Sequence, residues 1–449
     1  MLNKIKVILL NLIIFLFPLF FFISSQDPFT LNKIYFLAFG SLLLMLVSSL
    51  EFGISRKLVW KKRPFDYAVL AFFIAIIASV IFVSPNKIQA LLNTNLGLIR
   101  IFPLIILYYY ISREKNNFIR GPLYYSAVTA AVISLIFVFQ PLKGIKLPTD
   151  LQFLQATNFT PLGNYLELAV FLGFLIVWEI SQIVSNKHQH NQKKLLNLSF
   201  LAINAIAFGV ALFYFISPNK EQQSLLQIIF YPFRLAWYAA IETAKIPINF
   251  LFGVGVDNFS AMFTKVKDIA YNQSDLWQIS YYSTSRSFLL HIFTETGLFG
   301  LGMTIWLLVK LVKRVKNNPA LLFAAYYLIA VMVFLPPTLI SLFLLFIMLG
   351  EAAQDNQSAP HTVNLHSELP LVIIMTIISL AFCGVYAYFV GRSYLAEYYY
   401  LQANNGVSQN NLKIVYDNLK EALILNPYSE KYATDFSRVN LQYAMNIIA

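Results

Sequence analysis

Apolar residues in this chain come mostly in long unbroken runs, separated by short polar stretches, rather than in alternation or on one helical stripe. A helix rises about 1.5 Å per residue, so a hydrocarbon core of about 30 Å takes about 20 apolar residues to cross. On that measure the pattern predicts about eleven spans, near 5–24, 34–53, 66–84, 97–112, 122–140, 163–184, 195–216, 287–312, 319–335, 338–351 and 369–390. The first opens with Lys4 and Lys6, as a secretory signal would. Its apolar run is too long for a signal core, however, and no small-residue cleavage site follows, so it reads as a retained helix. The expected fold class is all-α, a polytopic membrane helix bundle.

Two stretches depart from this pattern. One is the long polar and aromatic connection at 217–286. The other runs from Ser393 to Ala449, where apolar residues return to helical spacing in RSYLAEYYYLQA, NLKIVYDNLKEALILNP and YATDFSRVNLQYAMNII. Asn405-Gly406 is expected to break the first of these from the second, and Asn426-Pro427 to end the second. The segment resembles tetratricopeptide repeats, above all in KEALILNP with its closing proline. It amounts to no more than a repeat and a half, and about three are needed to bury a continuous core. It is therefore expected to dock on the membrane body or on a protein partner. The chain divides into a membrane domain, 1–390, and a tetratricopeptide-like tail, 391–449.

Composition agrees with a bilayer location. Of 449 residues only 12% are charged, against about 25% in a soluble domain. Mean hydropathy is +0.64. The net charge of +12 raises the question of nucleic acid, but the basic residues form short clusters between apolar runs, with no basic face, so no nucleic-acid partner is expected. Alternate connections are rich in lysine and arginine: Arg56 to Arg63, Arg113 to Arg120, Lys187 to Lys194 and Lys313 to Lys316. The positive-inside rule puts these in the cytoplasm, the N-terminus with them, and 217–286 and the C-terminus outside an inner (cytoplasmic) membrane. The connection 352–368 carries neither residue and departs from the rule. The lone Cys383 excludes a disulfide within the chain.

Ionisable groups within the runs are few. Arg100 and Glu167 fall inside the fourth and sixth spans, where charge is costly and either serves a site or locks two helices. His188 and His190 form an HxH beside lysines without a third ligand, which reads as a solvated loop. No phosphate-binding GxxxxGK[ST] occurs, and no metal or other cofactor is expected, although Asp257, Asp268 and Asp275 are local acids.

Polar chemistry gathers between 231 and 302. Pro232 opens a helix and Pro247 closes it; Arg234, Tyr238 and Glu242 share one face with Lys245, as on an amphipathic helix at a membrane surface. GVGVDNF follows, at Gly253 to Phe259. It lacks the third glycine of a dinucleotide fingerprint and suits a tight turn with close backbone approach to an anionic group. Ser287, His291 and Glu295 then recur every four residues as a polar stripe entering the eighth span. Such residues stand about 5–6 Å apart at Cβ, so interhelical hydrogen bonding suits them better than a catalytic triad. Gly297, Gly300 and Gly302 below them permit close helix packing.

FRLAWYAAIETAKIPINFLFGVGVDNF followed by RSFLLHIFTETGLFG resembles the O-antigen ligase and polymerase superfamily of bacterial membrane glycosyltransferases. Arg234, Trp237, Gly253, Gly255, Asn258, Phe259, Glu295, Gly297 and Gly300 carry the likeness, over about seventy residues. LGNYLELAVFLG, from Leu162 to Gly173, resembles a weaker upstream segment of that family. The resemblance implies a bundle of the GT-C kind, working without metal. It would take a glycan from an undecaprenyl-pyrophosphate carrier and pass it to a glycan, lipid or protein acceptor. Arg234 matches the family arginine and is the first candidate for holding pyrophosphate, with Lys245, Lys265 and Lys267 behind it; Gly253, Gly255, Asn258, Glu295, Arg100 and Glu167 complete the candidate site. The family histidine falls here on Arg286, and its asparagine on Ser287. A guanidinium stays protonated and cannot act as a general base, which leaves it the role of a second pyrophosphate ligand. His291 is the remaining candidate base. Two other readings are a non-catalytic scaffold that recruits envelope proteins through its tail, and a transporter of lipid-linked sugar.

Overall fold

The computed structural model describes residues 2–114, 118–147, 149–156, 159–185, 191–216, 230–274, 276–279, 282–354 and 361–448. Lys115, Lys187, His188, His190 and Asp275 lie outside them, as do the side chains of Lys193 and Lys194. The chain is mostly helical. In order come α1 (Leu2–Leu16), α2 (Thr30–Ser55), β1 (Lys57–Trp60), α3 (Asp66–Phe82), α4 (Lys87–Leu92), α5 (Leu98–Ile111), α6 (Arg120–Val138), α7 (Tyr165–Ser185) and α8 (Asn191–Ile216). There follow α9 (Phe233–Ala244), α10 (Pro247–Phe252), α11 (Phe259–Val266), α12 (Ile269–Asn272), α13 (Phe288–Val315), α14 (Pro319–Phe334), α15 (Leu339–Ala353), β2 (His361–Asn364), α16 (Leu369–Ser408), α17 (Leu412–Leu425) and α18 (Glu430–Ile448).

Each predicted apolar run contains a helix, but their lengths differ. Among the described residues, six are long and apolar enough to cross a membrane: α2, α6, α7, α8, α13 and α16. The apolar helices α3, α5, α14 and α15 are shorter, at 14 to 17 residues, or about 21–26 Å. The first run is broken. α1 ends at Leu16 because Pro18 follows, lacking the N–H that another helical turn needs.

The chain forms two compact units. One comprises 1–9, 20–58 and 362–449; the other comprises 10–19 and 59–361. In the first, α2 and α16 run antiparallel. Tyr35 packs on Tyr394 at 5.2 Å between ring centroids, Ser49 Oγ meets Ser379 Oγ at 2.6 Å, and Gly53 faces Thr376. α16 has 40 residues, about 60 Å, and continues unbroken through 390 and through Asn405-Gly406. Gly406 is thus a packing glycine rather than a breaker: a Cβ there would stand 2.9 Å from Ile414 Cγ2 on α17. α17 ends where Asn426-Pro427 was expected to end it. Its last carbonyls, Ile424 and Leu425, accept from the Arg392 guanidinium at 2.6 and 2.9 Å, which holds α17 along α16. Ala396, Tyr400, Leu419, Ala422 and Tyr432 form the apolar core of this helical end, and Tyr432 donates to Glu397 at 2.7 Å.

The second unit is built around α15, every residue of which is buried. α5, α7, α13 and α14 pack on it. Glycines set the closest approaches, with Gly350 against Ile111 and Gly173 against Tyr327. At the Glu351 end, polar contacts fix the register of the helices. Arg120 pairs with Glu351 at 3.4 Å, Gln354 donates to the Ile111 carbonyl at 3.2 Å, and Arg113 pairs with Asp66 at 3.1 Å. These pairs are partly buried, so desolvation offsets much of their attraction and they add little net stability.

Candidate functional site

The segment between α8 and α13 is assembled on α9. Pro232 caps the start of α9, and Pro247 occupies the first turn of α10, so the prolines bound the helix as expected. The buried face consists of Leu235, Ala236, Ala239, Ala240 and Thr243. It packs with Tyr231, Phe259, Phe263 and Tyr282 into an aromatic core whose rings meet edge to face, 5.1–5.5 Å apart. Burial pushes the Tyr231 and Tyr282 phenols well above their ordinary range. Trp237 faces outward at 56% exposure, together with Phe233 and Ile241, so apolar and polar residues share the exposed side of α9. The single polar face expected there gives way to a mixed one because small residues fill the inward side.

The charges on that side are paired. Arg234 is half exposed and bonds Asp268 at 2.8 Å. Glu242 holds both Lys245, just past the end of α9, and Lys265 of α11, at 2.5 and 2.8 Å. The hydrogen bonds from Lys245 and Lys265 keep its carboxyl well below the usual range, at about 2. Asp257, another local acid, accepts from the side chains of Gln89 and Asn93. No group of three or more potential metal ligands occurs among the described residues.

The glycine turn lies directly on the start of α13. Gly253, Gly255 and Asp257 adopt positive φ, at 80°, 96° and 71°. Val254 N donates to Thr294 O at 2.8 Å and Gly255 N to Glu295 O at 3.2 Å. α13 kinks at Gly297, whose φ of 67° is incompatible with a continuing helix. Added Cβ atoms would collide: 2.2 Å from the Glu295 carbonyl at Gly253, 2.4 Å from the Leu251 carbonyl at Gly297, and 2.6 Å from Ser84 Oγ at Gly255. The close approach expected of these glycines is thus made to the protein's own backbone. Ser79, near the end of α3, donates to the Glu295 carbonyl at 2.6 Å, and Asn258 turns inward to the Val256 carbonyl.

Charged and polar side chains gather near the start of α5 and the connection from α14 to α15. Arg100, in the first turn of α5, is 2% exposed and donates to the carbonyls of Thr94 and Pro337 at 3.2 and 3.3 Å. Glu167 on α7 and His291 on α13 both feel its charge. Glu167, His291 and Glu295 are 5%, 0% and 1% exposed. His291 Nε2 faces Glu295 Oε2 at 3.6 Å, beyond a hydrogen bond, and its Nδ1 accepts from Ser285 N at 3.4 Å. Ser287 Oγ donates to Met332 O on α14 at 3.4 Å. Of the stripe, Ser287 makes the interhelical hydrogen bond that the spacing suggested, while His291 bonds the segment just before α13, and the three make no triad.

Arg286 lies between the two anchored serines. Its guanidinium stacks on Phe230 at 3.7 Å and on Phe233 at 5.1 Å. Burial pulls its pKa below the usual arginine value. Arg286 thus stacks on Phe233, the residue before Arg234 in the first turn of α9, while Lys245 stands just past the far end of that helix beside Glu242. No family model matches the chain, and no curated protein matches it.

Among the described residues, further ionisable groups within or beside the runs are buried, Arg63 at 2% exposure among them. Lys33 on α2 is 0% exposed, Glu179 on α7 is 1%, and Glu351 on α15 is 6%. All of these stand within or beside apolar runs, and the sign available in sequence was the charge itself.

Proposed function

We propose that the chain is a membrane glycosyltransferase of the O-antigen ligase and polymerase kind. It would move a glycan from an undecaprenyl-pyrophosphate carrier to an acceptor at the outer face of the inner membrane. One observation carries this reading. The two stretches that resemble the family are separated in sequence, yet the glycine turn at 253–258 packs on the kink at 295–297, and Arg286 stacks against the start of the helix that bears Arg234. In this reading the chain crosses the bilayer about eleven times, with its N-terminus cytoplasmic and its tetratricopeptide-like tail outside.

Arg234 and Arg286 hold the diphosphate, since planar guanidinium groups suit bidentate contact with phosphate and oppose the charge that develops on departure. Arg234 exchanges Asp268 for the donor. The acceptor oxygen attacks the anomeric carbon as the bond to the diphosphate breaks; the proton of the acceptor passes to the departing diphosphate, which takes the electron pair. His291, sealed from solvent, serves as a positioning residue: it holds Ser285 N and so helps fix the segment from which Arg286 projects. The test is photocrosslinking of a lipid-pyrophosphate glycan to the protein in nanodiscs. Adducts on 230–245 or 284–290, competed by unlabelled donor, support the reading; adducts spread evenly over the lipid-facing helices count against it.

A further inference from the structure

Farther along α7, about 18 Å from Glu167, stands a second buried carboxylate that the proposed transfer does not use. Glu179 is 1% exposed. Tyr124 of α6 and Asn204 of α8 lie within hydrogen-bonding reach of its carboxylate. Neither completes a well-aligned bond: both oxygens of Glu179 and both amide atoms of the fully buried Asn204 lack a partner.

Among the described residues, the charged groups around it are committed elsewhere. Arg120 of α6 pairs with Glu351 of α15 at 3.4 Å and lies 5.7 Å over the Trp178 ring. Tyr327 of α14 donates to the carbonyls of Ala169 and Val170, nearer the start of α7. The described side chains of α8, from Asn197 on, include no charge. A carboxylate buried without a counter-ion is so costly that such groups neutralise instead.

Hydrogen-bond bookkeeping makes the same choice. With Glu179 ionised, Tyr124 Oη and Asn204 Nδ2 can donate to it, but Asn204 Oδ1 has no donor. A proton on the carboxyl supplies that donor. We propose that Glu179 is a proton-binding site. It carries a proton at neutral pH, donates it as a hydrogen bond to Asn204 Oδ1, and accepts from Tyr124 through its other oxygen. The protonated carboxyl joins α6, α7 and α8; loss of the proton leaves a charge among apolar helices and loosens that junction. The inference is independent of the transferase reading.

The experiment compares the full-length protein with E179Q in lipid nanodiscs by infrared difference spectroscopy. The expected result is a protonated-carboxyl carbonyl band at neutral pH that shifts in D2O, fades as pH rises and is absent from E179Q. The native state then holds a proton that the unfolded chain releases, so wild-type thermal stability falls with rising pH, and E179Q loses one proton's worth of that slope. Should E179Q not fold, labelling of wild-type Glu179 by dicyclohexylcarbodiimide, faster at lower pH, gives the same answer. Absence of both band and adduct overturns the proposal. So does removal of the band by sodium but not by choline, which would make this a metal-cation site.

Discussion

A methyl group on Gly297 would stand 2.5 Å from the amide nitrogen of Gly253, so two glycines 44 positions apart meet backbone to backbone. Both have positive φ, at 67° and 80°. The kink in α13 and the turn after α10 are thus one packing unit. Alanine at either position meets both backbone strain and overpacking, at an expected cost of roughly 2–5 kcal/mol. Thermal unfolding in detergent should show a large loss for Gly253→Ala and for Gly297→Ala. Gly302→Ala, where nothing lies within 4 Å of the added Cβ, should unfold like the wild type.

Arg100 joins the connections on either side of the buried polar groups by donating to Thr94 O and Pro337 O. Arg100→Ala leaves both carbonyls and Glu167 without it, and losses of about 3–5 kcal/mol are usual when one partner of a buried charge is removed. Arg100→Lys should recover only part of this, because an ammonium lacks the planar fork that reaches two carbonyls at once. Full rescue by lysine would show that charge alone matters there.

The Glu242 clasp predicts a pH dependence with a definite sign. Its folded pKa is depressed, to about 2, so its contribution is complete above the ordinary carboxyl range. That contribution should decline as pH falls through about 4 and be gone near 2. Hydrogen exchange of the α11 peptides should therefore show protection that survives mild acid in the wild type. In Glu242→Gln the protection should be lower at neutral pH already, by a modest factor, since the pair is exposed to solvent screening.

In the helical tail, the half-buried Arg392 is expected to hold the end of α17. Arg392→Ala removes the donor to Ile424 O and Leu425 O, at a cost of about 1–2 kcal/mol. The loss should appear as faster amide exchange confined to the last turn of α17 and to α18. Uniform exchange over the whole chain would show instead that the tail does not unfold on its own.

How much of this could be read from sequence depends on how local the cause is. Apolar runs specify helices, and Pro232, Pro247 and Asn426-Pro427 end or begin them through their own backbone chemistry, so those boundaries were legible. Gly406 was misread because a glycine in a helix looks the same whether it breaks the chain or admits a neighbour; Ile414 on α17 decides which. The mixed outer face of α9 had no such local cause, because helical spacing defines faces without saying which is covered; the small Ala236, Ala239 and Ala240 take the inward side. The meeting of Gly253 with Gly297 has no local signature beyond the glycines themselves. Glu179 stood in plain view but was hidden by the apolar residues on either side.

The most direct measurement is transfer of a glycan from its undecaprenyl-pyrophosphate carrier by the purified protein in nanodiscs, comparing wild type with Arg234→Ala, Arg286→Ala and Arg286→Lys. Expected are turnover by the wild type, a loss of at least about 100-fold in either alanine variant, as removal of a charge-stabilising group brings elsewhere, and partial recovery with lysine. No transfer by a wild-type protein that binds the donor, or undiminished transfer by both alanine variants, would contradict the transferase reading.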